Sequence, residues 1–200
     1  MSLVTCDLSI SLDGFAAGTD QRLDAPFGDG VGDDGHDLHR WMFDTPEEHA
    51  AELGAITEAG AFIMGRNMFS PGRGAWDLDW TGWWGPNPPY HAPVFVLTHH
   101  ERAPVEMEGG TTFHFVTDGP EAALARARAA AGEKNVAIAG GAATVNQYLA
   151  AGAIDELRLH VAPVIVGRGE RLFAGLGHTP LRLISARCTP MVNHLTYGRA

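Results

Sequence analysis

The sequence predicts an α/β fold, a mostly parallel sheet flanked by helices and finished by an antiparallel hairpin. Three observations carry this. Short apolar runs alternate with helix-forming segments through the middle of the chain, one such run passes through Gly140-Gly141 straight into a helical segment, and two alternating runs lie near the C-terminus. Strands separated by helices return in parallel, whereas strands separated by a short turn pair antiparallel.

Taken in order, Leu3 to Ile10 set Val4, Cys6, Leu8 and Ile10 on one face, the period of a strand. SLDGFAAG bends the chain away, and the Gly- and Asp-rich stretch from Asp20 to Asp37 offers little to bury and reads as a long loop. Thr45, Pro46, Glu47 and Glu48 supply an N-cap, an N1 proline and first-turn acids for a helix whose stripe, Ala50, Leu53, Ile56 and Thr57, runs to Gly60. AFIMG follows as a short buried strand. Residues 70–93 contain four of the five tryptophans and five prolines, which excludes long regular structure. PVFVLT and FHFVTDG are further strands. Asp118 caps a helix with Pro120 in its first turn and Ala123, Leu124 and Ala127 as its stripe. NVAIAGG is strand then turn, and AATVNQYLAAG a helix closed by Gly152. DELRLHVAPVIVG reads as a long strand with Pro163 inside it, implying an edge or a bulge. LRLISARC and NHLTYGR, joined by TPMV, form the hairpin.

Composition bounds the function. With 45% apolar and 19% charged residues over 200 positions, the chain has enough to bury for one ordinary core and is neither disordered nor fibrous. Its formal charge of -10 argues against nucleic acid as a general partner. The charge is uneven: residues 1–60 carry 13 acidic side chains against Arg22 and Arg40 alone, and the remainder is nearly balanced. Contacts to a polyanionic ligand are therefore expected from the second stretch. Cys6 and Cys188 both sit in strand-like runs, so no disulfide framework is read and a reducing cytoplasm is expected. The start lacks a basic, then apolar, leader, and no run approaches 18 apolar residues, so neither export nor a membrane is expected.

Val136 to Thr144 is the most informative segment. A strand ending in two glycines, with a helix following at once, aims backbone N–H groups out of the sheet edge, where glycine allows close approach and the helix start favours an anion such as a pyrophosphate. The alternative is a tight turn without a ligand, since GxGxxG and GxxxxGK[ST] are both missing. Two more strand ends support the ligand reading: Gly65-Arg66-Asn67 after AFIMG, and Thr98 to Arg102 after PVFVL. Both place donors at the carboxyl ends of parallel strands, where open α/β sheets bind ligands, and an arginine holds phosphate by two parallel hydrogen bonds.

SLDGFAAG, MGRNMF, PGRG, APVFVLTHH, VAIAGGAATVNQYLAAG, IDELRLHVAPVIVGRGERLF and the terminal hairpin, in that joint order, resemble the dihydrofolate-reductase-like superfamily. The nearest likeness is to the C-terminal reductase domain of the bacterial riboflavin-biosynthesis deaminase-reductase and its stand-alone relatives. The resemblance covers nearly the whole chain. It implies an eight-stranded mixed sheet, NADPH as hydride donor and a homodimer. By position it assigns the pyrophosphate to Gly140, Gly141, Ala142, Ala143 and Thr144. Gly65, Arg66, Asn67, Thr98 and His99 fall to the adenosine and its 2′-phosphate, and Phe15, Ala16 and Ala17 lie along the nicotinamide.

The chemistry is less sharply marked. Hydride transfer belongs to the dihydronicotinamide, and the protein has only to position it, exclude water and assist one proton transfer. Asp13 and Asp44 are the candidate catalytic carboxylates; Asp13 equally fits a turn residue, and Asp44 a charge favouring a helix start. WMFDTPEEHA does not match the folate-binding helix of dihydrofolate reductases. Trp41, Met42 and Phe43 precede the first expected helix, and the tryptophans near Trp84 crowd one loop. Trp41, Phe43 and Trp84 are candidates for stacking on a flat heterocycle, or for packing the loop onto the domain. Arg73, Arg168 and Arg171 are candidate anion clamps. FGDGVGDDGHD fails the calcium-loop pattern, His36-x-x-His39 and His99-His100 lack partners for a zinc set, and GxSxG is missing, so no metal and no hydrolase is expected. The expectation is an NADPH-dependent reductase of a small planar heterocycle, most like 5-amino-6-(5-phosphoribosylamino)uracil reductase. The alternatives are a dihydrofolate- or pterin-reducing enzyme and a binding module without turnover.

Overall fold

A computed structural model describes residues 2–72 and 74–200, the side chain of Asp34 excepted. The first strand, β1 (Val4–Ser11), buries Val4, Cys6 and Ile10 on one face as its alternation requires. After the short β2 (Phe15–Ala17) come α1 (His36–Phe43), a turn of 3₁₀ helix (Pro46–His49) and α2 (Ala50–Thr57). Then follow β3 (Ala61–Gly65), α3 (Arg66–Phe69), β4 (Pro93–Leu97), β5 (Val105–Glu106), β6 (Thr112–Val116), α4 (Pro120–Ala131), β7 (Val136–Gly140) and α5 (Ala142–Ala150). The C-terminal part holds β8 (Glu156–Ala162), β9 (Glu170–Arg171), β10 (Leu181–Cys188) and β11 (Asn193–Arg199).

Among the described residues, nine strands form one sheet in the order β10-β11-β8-β1-β7-β3-β4-β6-β5, and β2 pairs with β9 apart from it. The expected count of eight is corrected by β5, two residues lying antiparallel to β6 at the sheet edge. Pairings from β8 through β6 are parallel, and β11 joins β8 antiparallel with β10 outermost, as the hairpin pattern predicts. The hairpin turn is held by the Thr189 hydroxyl, which accepts from the N–H groups of Met191 and Val192.

Two local expectations are corrected. Pro163 does not lie within a strand: β8 stops at Ala162, before the residue that has no N–H to give. The loop read over Asp20 to Asp37 gives way to helix α1, entered through Gly35 in the left-handed conformation (φ 74°), so Trp41 and Phe43 lie inside a helix.

One face of the sheet packs on α4 and α5 through Ile63, Ile138, Ala123, Ala127, Val145 and Tyr148. The loop from 70 to 92 folds onto the β3-β4-β6 end, where Trp76, Trp80 and Trp84 pack around Phe69, Phe113 and Tyr90. Beneath α1 and α2 the other face of β1 is polar yet buried, with Thr5, Ser9 and Ser11 all in the interior.

Candidate functional site

Parallel strands end at a common edge. Register places Met64 beside Gly140, Gly65 beside Leu97, Leu97 beside Val116, and Ser11 beside Ala162, so the ends of β3, β7, β4, β6, β1 and β8 are neighbours. α5 rises directly from this edge. Its N-cap is Gly141, no side chain caps it, and Thr144 and Val145 return their N–H groups to the Gly141 carbonyl at 3.0 and 3.1 Å. Ala142 and Ala143 have no carbonyl within the helix to receive their N–H groups.

The glycines here differ in what surrounds them. A Cβ on Gly65 would lie 2.3 Å from the Thr144 hydroxyl oxygen, so β3 and the first turn of α5 touch through a glycine. Gly140, at φ 127°, requires glycine for its backbone conformation, and its peptide to Gly141 is cis. Gly141 is extended (φ -74°, ψ -170°) and a Cβ there would meet no atom within 4 Å. Open space in front of helix N–H groups is what an approaching phosphate needs.

On the far side of β3, the Arg66 guanidinium lies 3.9 Å over the Trp76 ring, and Trp76 donates its indole N–H to the His100 carbonyl. Arg102 donates to the carbonyls of Leu78 and Trp80, which ties the Trp-rich loop to the loop after β4. Asn67 follows Arg66 in α3. Thr98 is buried and accepts the His100 N–H at 3.1 Å, whereas His99 is exposed.

The nicotinamide candidates Phe15, Ala16 and Ala17 form β2, and their side chains are buried. Arg171 of β9 sits 5.4 Å over the Phe15 ring, and Arg168 is exposed. Arg73 lies outside the described residues. Asn146 of α5, which the sequence reading passed over, accepts the Phe173 N–H and donates to the carbonyls of Arg171 and Ala174. It couples the 171–174 segment, and with it β2, to the helix that starts at Gly141. Its position five residues past that glycine was the available signal.

Both candidate carboxylates are already engaged. Asp13 accepts from the Ser11 hydroxyl at 2.6 Å and from the N–H groups of Val166 and Gly167, and these bonds hold it down to about 2. Asp44 is at the C-terminal end of α1, bonded to Arg40 and His36, and Arg40 above all keeps its pKa below the usual range. Each candidate carboxyl is thus tied within the chain, Asp13 to the segment after β8 and Asp44 to α1. The three stacking candidates lie in different surroundings. Trp41 is 1% exposed and has no free face, Phe43 is exposed on α1, and Trp84 is stacked on Phe113 and edge-on to Tyr90, on the β6 side of the sheet.

Residues 2–197 match the family described as RibD C-terminal domain. The chain belongs to that family. Its fold is similar to the crystal structure of a putative riboflavin biosynthesis protein from Shewanella sp. PV-4, at 22% identity, 99% coverage of both chains and a TM-score of 0.65. It is also similar to the Thermotoga maritima diaminohydroxyphosphoribosylaminopyrimidine deaminase/5-amino-6-(5-phosphoribosylamino)uracil reductase, at 15% identity, covering all of this chain and 57% of that one, with a TM-score of 0.59. Uncharacterized protein YwjB of Bacillus subtilis (strain 168) is 39% identical over 87 residues, which is 43% of this chain and about half (49%) of that relative. The family resemblance read from the motifs thus holds.

Within this RibD C-terminal domain, a second polar centre was not legible in sequence. His160 of β8, His194 of β11 and His49 of the 3₁₀ turn are buried side by side beneath Trp41, whose indole N–H reaches the Ser9 hydroxyl. Burial, followed by the neighbouring His160, lowers His194 to about 4. Among the described residues no helix is long and apolar enough to cross a membrane.

Proposed function

We propose that this chain is an NADPH-dependent reductase of a small planar nitrogen heterocycle, of the 5-amino-6-(5-phosphoribosylamino)uracil class. The open, uncapped start of α5 at Gly141 carries the reading, because it supplies helix N–H groups and room at the end of β7, beside β3. Family membership supports the reductase class. The residues present fit the dinucleotide. Gly141, Ala142 and Ala143 hold the pyrophosphate through their backbone, Arg66 meets the 2′-phosphate from its seat on Trp76, and Asn67, Thr98 and His99 border the adenosine. The cofactor, when bound, supplies the hydride.

The protein positions and excludes water. Asn146 fixes the 171–174 segment beside β2, where Phe15, Ala16 and Ala17 form a firm wall, and Asp13 straps that corner to the segment after β8 through Val166 and Gly167.

Replacing Arg66 by Ala tests the cofactor assignment. Affinity for NADPH is expected to fall about tenfold more than affinity for NADH, because a guanidinium on a phosphate makes paired, charge-assisted hydrogen bonds. Equal losses for both coenzymes would contradict the role. NADPH oxidation with a pyrimidine substrate panel tests the reaction itself.

A second copy of the chain is proposed to cover β10. Every residue of this outer strand is exposed, including Leu183 at 53% and Ile184 at 46%, and such an unprotected apolar edge is a pairing surface. Light scattering is expected to give twice the 21.3 kDa chain mass, and a monomer at micromolar concentration would remove this proposal.

A further inference from the structure

The cavity beneath α2 holds groups the proposed reduction does not use. It measures about 270 Å³ and is lined by Asp7, Glu52, Arg158, His160, Arg187 and His194, among others. One ligand atom each from His49, Glu52 and His194 lies within 4.8 Å of the others. The first two come from one turn of chain three residues apart, and the third from β11.

The hydrogen bonding of this cluster is incomplete. Arg187 donates to Nδ1 of His49 at 2.9 Å, and since a guanidinium only donates, that nitrogen carries its lone pair into the cluster. Nε2 of His194 lies 2.9 Å from the same atom, so two neighbours converge on a single lone pair. Nε2 of His49 is buried without a hydrogen-bond partner, whereas Nε2 of His160 and Oδ1 of Asp7 face each other at 3.6 Å. Buried polar atoms of native proteins find partners, and here one lone pair is shared by two neighbours while the other ring nitrogen of His49 has none. The separation also fits: two imidazole nitrogens in adjacent positions around a metal at about 2.0–2.1 Å lie roughly 2.9–3.4 Å apart.

A cation already occupies the centre. The Arg187 Nη2 atom is 2.8 Å from a Glu52 oxygen and 2.9 Å from His49 Nδ1. Its side chain is 41% exposed in the isolated chain, where it can turn into solvent. We propose that His49, Glu52 and His194 form a binding site for a divalent transition metal, with zinc as the best match to two imidazoles and a carboxylate, and that Arg187 is the displaceable cation holding this site when no metal is present. On coordination the His194 proton moves from Nε2 to Nδ1, which faces His160 Nδ1 at 2.7 Å; Arg187 exchanges its place for water, and Glu52 exchanges an arginine for the metal.

The test is calorimetric titration of the full chain, cleared of metal with a chelator, with zinc chloride, and a parallel cobalt(II) titration read by its visible absorption. Wild type is expected to bind one equivalent, with cobalt bands of mixed nitrogen and oxygen ligation. Glu52→Gln and His194→Asn should each weaken binding at least tenfold, and Arg187→Ala should strengthen it by removing the competitor. Glu52 and Arg187 are partly exposed, so those two variants keep the test open if His194→Asn does not fold. Absence of binding in wild type overturns the proposal, as does binding confined to Arg187→Ala. Binding unchanged in both Glu52→Gln and His194→Asn would place the metal on surface histidines and overturn it equally.

Discussion

Gly141→Val is expected to weaken NADPH binding at least about 100-fold, a loss of roughly 2.7 kcal/mol, while leaving a folded chain. The backbone at Gly141 is extended, so a branched residue adopts it, and a Cβ there touches nothing in the protein. The added side chain would therefore fill only the space before the N–H groups of α5. Circular dichroism should match wild type, and fluorescence titration should show the lost affinity. Gly65→Ala makes the contrast: its Cβ falls 2.3 Å from the Thr144 hydroxyl oxygen, and the expected damage is to the junction of β3 with α5. If Gly141→Val binds NADPH normally, the Gly pair is only a turn.

Trp41→Ala is expected to cost about 3–5 kcal/mol of folding stability, the range for a large buried aromatic cut back to Cβ. Trp41 is 1% exposed, its indole N–H meets Ser9, and its ring lies 4.6 Å from His160 and 5.0 Å from His194. Removing it leaves a cavity and strips cover from three buried histidines. Urea unfolding of Trp41→Ala and wild type would read the loss directly. A tryptophan whose task is to stack on substrate would instead leave the unfolding midpoint in place and raise KM, and that result would favour the stacking reading over packing.

The sequence revealed what repeats locally. The alternation at Val4, Cys6, Leu8 and Ile10, the buried runs 61–65 and 136–140, and the turn around Thr189 each carry their own period or turn chemistry, so the sheet and its parallel middle were legible. Helix α1 was not. Its buried stripe is only Leu38 and Trp41, it begins at a left-handed glycine, and it follows an acidic loop, so burial against β1 rather than propensity makes it a helix. Strand β5 has two residues and exists through its pairing with β6.

The site was readable in the same uneven way. Segments 65–67, 98–99 and 140–144 announce themselves as strand ends, and β3, β4 and β7, which lead into them, are neighbours in the sheet. The histidine layer stayed hidden, because His49 and His194 are 145 positions apart and meet only when β11 pairs with β8. Asp13 was legible as a turn residue or a catalytic carboxylate, but its bonds to Val166 and Gly167, 153 and 154 positions away, were not.

Calorimetric titration of the purified chain with NADPH tests the central claim, a dinucleotide seat where β3, β7 and β4 end and α5 begins. One molecule bound per chain, more tightly than NADH, is the expected result. No measurable heat with either NADPH or NADP⁺, confirmed by unchanged fluorescence, would contradict it.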